Sequence, residues 1–305
     1  MKPDTRTFYE QAVQRAIEHI VRSLDEALDL ETLAREACLS PFHFHRVFRG
    51  MVGETPMEFI RRLRMERAAS RLADRHHAAV TEIAFDAGYE THEAFTRAFR
   101  AYYATSPSAF VERKHRRIEL TAPCGVHFLV DGVIPAFIPR DSGGKTMNVD
   151  VKEVPDLRVA AVRHTGPYNQ IPLAFERLNR IVEPAGLVTA NTALLAIFHD
   201  DPETTAPDQL RSEAGITVPL DARLPAELVE ERICAGKYAC TVHVGPYEKL
   251  GDTWARFMGE WLPASGHRVG PGASFEIYRN TPMTVPKEKL VTELYVPIAS
   301  DRSTT

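Results

Sequence analysis

Two stretches of this chain carry side chains suited to reading a nucleic-acid groove, and the two are copies of one another. Ser40-Pro-Phe-His-Phe-His-Arg-Val-Phe-Arg49 recurs 51 residues later as Thr91-His-Glu-Ala-Phe-Thr-Arg-Ala-Phe-Arg100. The register continues through Thr55-Pro56 and Ser106-Pro107 to Phe59 and Phe110, then to Arg62 and Arg113. At helical spacing Phe44, Val47 and Phe48 fall on one face, as do Phe95, Ala98 and Phe99, which makes these six predicted core. The opposite face carries Phe42, His43, His45, Arg46 and Arg49 in the first copy, and His92, Glu93, Thr96, Arg97 and Arg100 in the second. Arginine can grip guanine O6 and N7 with two hydrogen bonds, and a carboxylate such as Glu93 can accept from cytosine N4. For a single arginine a solvated helix face would suffice as an explanation. A constellation repeated at one spacing favours base reading.

The elements needed to present these residues are visible around them. Ser40 and Thr91 are N-cap hydroxyls, and Pro41 suits a first helical position because its missing N–H costs nothing there. Leu33-Ala34 and Ala37 upstream match Ile83-Ala84 and Ala87 at an offset of 50, so the second copy has one extra residue in its turn. Each copy therefore reads as a short helix, a tight turn near Cys38 or Gly88, and a second, projecting helix. A helix from about Met57 to Asp74, bearing Arg61, Arg62, Arg64, Arg67 and Arg71, joins them.

These residues resemble the AraC/XylS family of transcription regulators, above all Ser40 to Arg49, the Ala87-Gly88-Tyr89 turn, Phe95 to Arg100, and Ser106-Pro107. The resemblance covers nearly all of residues 8 to 117 and implies a double helix-turn-helix unit. One monomer would then enter two successive major-groove segments of double-stranded DNA, about 34 Å apart. Ala104 departs from the family, which usually has glycine there, and Glu93 departs by placing an acid at a base-facing position.

From about Asn148 the pattern changes to strands alternating with helices, and this part is duplicated too. Val159-Ala-Ala-Val-Arg-His-Thr-Gly-Pro-Tyr168 aligns at an offset of 79 with Tyr238-Ala-Cys-Thr-Val-His-Val-Gly-Pro-Tyr247, and Phe175 with Trp254. Each Gly-Pro-Tyr ends a strand in a turn. Strands at Leu194 to Phe198 and Ala214 to Val218, then at Ser274 to Tyr278 and Val291 to Val296, give each half the order strand, helix, strand, strand. The stretch resembles the GyrI-like effector-binding domain over about Met147 to Ala299. That resemblance implies a cleft between pseudosymmetric halves, in which aromatics and a buried glutamate bind small molecules, often bulky apolar cations.

Strand alternation puts Leu294, Val296 and Ile298 on one face, leaving Glu293 and Tyr295 on the other, and it pairs Glu276 with Tyr278 in the same way. Glu293 aligns at the same offset with apolar Ala214, so it breaks the symmetry of the halves and is the favoured partner of a cationic effector. Glu276, Tyr278, Trp254, Tyr168 and Tyr247 complete the candidate ligand set.

Composition fits this division. The 305 residues are 44% hydrophobic and 26% charged, an ordinary globular balance with length for two domains. The net charge of -4 splits into +1 over residues 1–120 and -5 over the remainder, and Arg46 to Arg75 holds eight arginines against four acids. That is a local basic surface. The start of the chain is polar, and the most apolar run, Gly125 to Pro139, is too broken to span a bilayer, so no membrane partner and a cytoplasmic location are expected. Cys38, Cys124, Cys234 and Cys240 show no metal or disulfide spacing, and neither a metal nor a cofactor is expected.

The sequence thus predicts a multidomain chain: an all-α double helix-turn-helix domain at 1–117, a connecting segment at 118–146, and at 147–305 an α+β domain of two pseudosymmetric β-α-β-β repeats. Asp141-Ser-Gly-Gly-Lys145 is the expected linker. The expected function is ligand-responsive transcription regulation, with RNA polymerase a candidate further partner. No Ser/His/Asp constellation points to an enzyme. A protein-interaction module or a glutamate-dependent hydrolase is the alternative reading of the second domain.

Overall fold

The computed structural model describes residues 5–74, 79–112, 120–130, 137–140, 147–200 and 205–299. The expected linker at 141–145 and Arg113 lie outside them. The chain falls into two compact units, Tyr9–Asp141 and Ser142–Thr305 with Met1–Phe8.

The first unit is helical: α1 (Thr5–Arg22), α2 (Leu30–Glu36), α3 (Pro41–Val52), α4 (Pro56–Ala73), α5 (Val80–Asp86), α6 (His92–Tyr103) and α7 (Pro107–Glu112). Local chemistry fixes the boundaries. Ser40 Oγ accepts from His43 N at 3.4 Å, Thr91 Oγ1 from Ala94 N at 3.1 Å, and Thr55 with Glu58 closes a capping box that opens α4. Cys38 (φ 57°) and Gly88 (φ 85°) turn the chain inside each helix pair. Phe44, Val47, Phe48, Phe95 and Phe99 are fully buried, while Ala98 only packs against the core from its edge.

The described part of the segment expected to connect the domains is packed on this helical unit. Arg62, on α4, donates to the Val126 carbonyl (2.9 Å) and to Glu54 and Glu66, while Glu66 accepts from Phe128 N at 2.7 Å. Arg140 N donates to Met51 O at the end of α3, and Cys124 and Val126 are fully buried. A strap thus binds the first motif to the joining helix. The sequence missed it because it has no periodicity: its hydrogen bonds go to side chains remote in the chain.

The second unit is one antiparallel eight-stranded sheet in the order β1-β6-β8-β7-β3-β4-β2-β5. The strands are β1 (Val149–Val154), β2 (Leu157–Thr165), β3 (Leu194–Phe198), β4 (Arg211–Val218), β5 (Val229–Ile233), β6 (Gly236–Val244), β7 (Phe275–Tyr278) and β8 (Val291–Pro297). Helix α8 (Ile171–Val182) follows β2, and α9 (Leu250–Arg256), prolonged by a π-helical turn, follows β6. The order is a palindrome under exchange of halves, with each half's first strand, β1 or β5, paired at the sheet edge to the outer strand, β6 or β2, of the other half. Those two strands were not foreseen. One sheet face packs under α8 through Ala160, Val162, Ala196, Ala214 and Ile216; the other joins Val159, Ile197, Phe275, Ile277 and Tyr295.

Candidate functional site

The two helices expected to read a groove differ in what they expose. On α6, His92, Glu93, Arg97 and Arg100 are exposed and Thr96 is half-buried. On α3, nine of twelve residues are buried, and among them Phe42, His43 and His45 correct the expectation of an outward face. At the helix start the Arg46 guanidinium covers the Phe42 ring at 4.4 Å, the His43 ring abuts it edge-on, and Ser40 Oγ hydrogen-bonds His43 Nδ1 at 2.8 Å. Burial, reinforced by the charge of Arg46, pushes His43 down to about 4, so it is an uncharged ring near neutral pH. Arg46 and Arg49 remain half-exposed.

In the second unit the ligand candidates separate onto opposite faces of the sheet. The β7–β8 register sets Phe275 against Tyr295 and Ile277 against Glu293, but Glu276 against Leu294 and Tyr278 against Thr292. Glu293 and Tyr295 therefore share the face of Phe275, whose ring stacks on Tyr295 at 4.7 Å. Glu276 and Tyr278 face the helices.

Glu293 is already neutralised there. Burial alone would raise its pKa, but Arg279 Nη2 at 2.8 Å and the Tyr295 hydroxyl at 2.7 Å donate to it and hold that pKa below the usual carboxylate range. The expectation that it breaks the symmetry of the halves is also overturned. The β2–β4 register pairs Arg163 with Glu213, and the β6–β8 register pairs Val242 with Glu293, so Glu213 is the counterpart of Glu293. The offset is 79 through the helix and 80 in the following strands. One extra residue after α9 shifts the alignment, and a one-residue slip exchanges faces.

Glu276 is the residue without an acidic counterpart. It is 3% exposed, and it accepts from Trp254 Nε1 at 2.7 Å and from the Tyr278 hydroxyl at 2.9 Å. Helix α9 brings Trp254 over the sheet, and the Gly-Pro-Tyr turn sets Tyr247 edge-on to Tyr278 at 5.5 Å. From the first half, Phe175 on α8 reaches Tyr278 at 5.6 Å, while Tyr168 packs on Phe198 at 4.8 Å. Burial, then the negative charge of Glu276, drives the Tyr278 phenol well above its ordinary range, and the same two causes raise Tyr247. Both phenols stay protonated, so neither adds a negative charge beside Glu276. Phe175 and Phe198 were not named as ligand residues; their alignment with Trp254 and Tyr278 was the available signal.

This duplicated helix-on-sheet unit, with one carboxylate on its axis, has known relatives. Residues 147–299 match the GyrI-like small molecule binding domain. The chain belongs to this family. Its GyrI-like domain follows an AraC-type helix-turn-helix domain, matched over residues 33–113, which is the build of a DNA-binding regulator. Over 103 residues the chain is 37% identical to an HTH-type transcriptional regulator of Bacillus subtilis, YbfP, covering 34% of this chain and 35% of that one. The match thus spans about a third of the Bacillus protein's length. A probable transcriptional regulator of Escherichia coli, YgiV, is 27% identical over 158 residues (50% of this chain, 98% of its own), and a DNA gyrase inhibitor of Yersinia enterocolitica 30% over 128 residues (40% and 80%). Among the described residues of the GyrI-like chain, no helix is long and apolar enough to cross a membrane.

Proposed function

We propose that this GyrI-like protein is a transcription regulator that holds double-stranded DNA through α3 and α6 and is switched by a lipophilic cation bound around Glu276. The observation that carries the effector class is the carboxylate of Glu276, removed from water and ringed by Trp254, Tyr278 and Tyr247. In so dry a place a positive charge is attracted with little screening, and each aromatic face adds about 0.5–2 kcal/mol of cation–π attraction. A neutral molecule of the same shape gains only the apolar contact.

The test is calorimetry on the full chain with a lipophilic cation and a neutral molecule of matched size. Glu276→Gln should weaken the cation at least tenfold and leave the neutral molecule nearly unchanged, whereas Glu293→Gln should affect neither. Equal losses for both molecules in Glu276→Gln, or no loss for either, would overturn the assignment. Gel shifts of the full chain on duplex DNA, with and without the cation, test the switch itself: an unchanged affinity for DNA would refute it.

A further inference from the structure

Helix α9 turns Trp254 towards Glu276, and it turns Thr253 and Arg256 towards a separate cavity of about 670 Å³. This cavity lies where β1 diverges from β6, between Asn148 and Asp150 on one side and Thr241 and His243 on the other. Its volume is that of an ordinary small-molecule site.

Comparison of the two halves shows that it is not a general feature of the fold. Thr241 and Thr253 occupy the positions of Val162 and Ala174 in the first half, where both are core, 3% and 2% exposed, in one cluster with Leu187 and Leu228. The second half has replaced two apolar wall residues with hydroxyls and left space beside them.

The hydroxyls have a defined polarity. Thr241 donates its proton to the Asn148 carbonyl at 2.8 Å. The Pro246 carbonyl, 3.2 Å from His243 Nε2, can only accept, so that nitrogen carries hydrogen; in the neutral ring Nδ1 then takes the Thr253 proton at 2.7 Å. Both hydroxyls are left with lone pairs. Arg256, held by Glu260 at 3.3 Å, lines the same cavity as a donor. An occupant must therefore bring several hydrogen-bond donors and be able to accept as well.

We propose that this cavity is a second binding site, for a small polyhydroxylated molecule of the carbohydrate type. The sugar's hydroxyls donate to Thr241 and Thr253, and a hydroxyl oxygen accepts from Arg256. The site is independent of the one around Glu276.

The experiment is calorimetry of maltose with the full chain and with the double variant Thr241→Val, Thr253→Ala, which installs the residues the first half already carries in its core. Wild type should bind maltose; loss of two neutral hydrogen bonds should weaken it by about tenfold or more. Thr253→Ser, which keeps the hydroxyl, should retain binding, and so should Glu276→Gln. No binding of maltose by the wild type, or equal affinity in the double variant, would overturn the proposal. If the double variant fails to fold, Thr253→Ala alone decides: weaker binding than in Thr253→Ser upholds the proposal, and equal affinity in the two overturns it.

Discussion

Ala196 and Glu276 are at once cross-strand partners and counterparts of one another. They face each other in the β3–β7 register; Ala196 also lies opposite Ala214 in β4, and Glu276 opposite Leu294 in β8, the same position one half later. The pseudo-two-fold axis of the sheet therefore passes between them, and at this point a methyl group in one half meets a carboxylate in the other. Glu276→Ala would restore the symmetry and leave the Trp254 N–H and the Tyr278 hydroxyl without their acceptor. Each such buried donor costs about 1–3 kcal/mol, against which stands the relief of a desolvated carboxylate. The expected outcome is a net loss of about 1–3 kcal/mol in denaturant unfolding for Glu276→Ala, and little change for Glu276→Gln, whose amide oxygen still accepts from Trp254.

A second pair of counterparts predicts a pH dependence. On the face away from the helices Glu293 has Arg279 beside it, with Lys152 near, whereas Glu213 has His199 at 3.4 Å and Glu231 in those places. The Glu213 carboxylate beside it raises His199 above its ordinary value despite burial. Burial and the charge of Glu213 raise Glu231 above 4.5. A raised histidine contributes stability that is complete below its unfolded value and lost as pH rises through its folded one. A raised carboxyl behaves in the same sense, losing its contribution above about pH 4.5. The share of stability that this cluster contributes should therefore fall between pH 4 and 8, whereas His43, lowered to about 4, contributes in the opposite sense up to about pH 6.5. Glu231→Lys, which copies Lys152, should raise stability more near pH 7 than near pH 4; an equal gain at both would contradict this account.

The sequence made the two repeats legible because Gly-Pro-Tyr and the paired phenylalanine helices recur at fixed spacing, and from them follow the helix pairs, the caps at Ser40 and Thr91 and the strand-helix-strand-strand order. What it did not reveal depends on register and on distant partners. Glu293 was preferred over Glu276 because a single offset of 79 was carried past α9, and one residue suffices to exchange the faces of a strand. Phe42, His43 and His45 looked outward because periodicity assigns a helix face without saying what covers it. Strands β1 and β5 escaped notice because edge strands with mixed charge, such as Val149-Asp-Val-Lys-Glu-Val154, alternate weakly.

The ends of α3 and α6 allow a test of backbone strain. Gly53 and Ala104 are counterparts, each in the left-handed region (φ 85° and 54°), and each donates its N–H to a carbonyl four residues back, Arg49 or Arg100. Glycine adopts this conformation freely, whereas alanine is strained by about 1 kcal/mol. Ala104→Gly should therefore stabilise the helical unit by roughly 0.5–1 kcal/mol. Gly53→Ala should cost more than this, because its methyl group would also lie 2.8 Å from Pro123 Cβ in the strap. Thermal unfolding of the two variants checks both signs, and a stable Gly53→Ala would show that the strap yields easily.

Arg46 and Arg97 offer the sharpest test of how the GyrI-like regulator reads DNA, since they are equivalent in the repeat yet differently placed. Arg97 is exposed on α6, while Arg46 is half-buried with its guanidinium stacked on Phe42. Stacking restricts the rotamers of the guanidinium, which favours a directed contact over a diffuse one. If both read guanine, Arg46→Ala and Arg97→Ala should each weaken binding by about 1–3 kcal/mol, and each should relax sequence preference in one half-site alone. Neither should greatly alter the dependence of affinity on salt. A residue that only neutralises phosphate behaves otherwise: its loss weakens all sequences alike and lowers the salt slope by about one unit. Gel shifts over a range of salt, on an operator and on versions scrambled in one half-site at a time, separate the two outcomes. Uniform loss with a reduced slope for both variants would make these arginines backbone contacts and transfer base reading to His92, Glu93, Thr96 and Arg100.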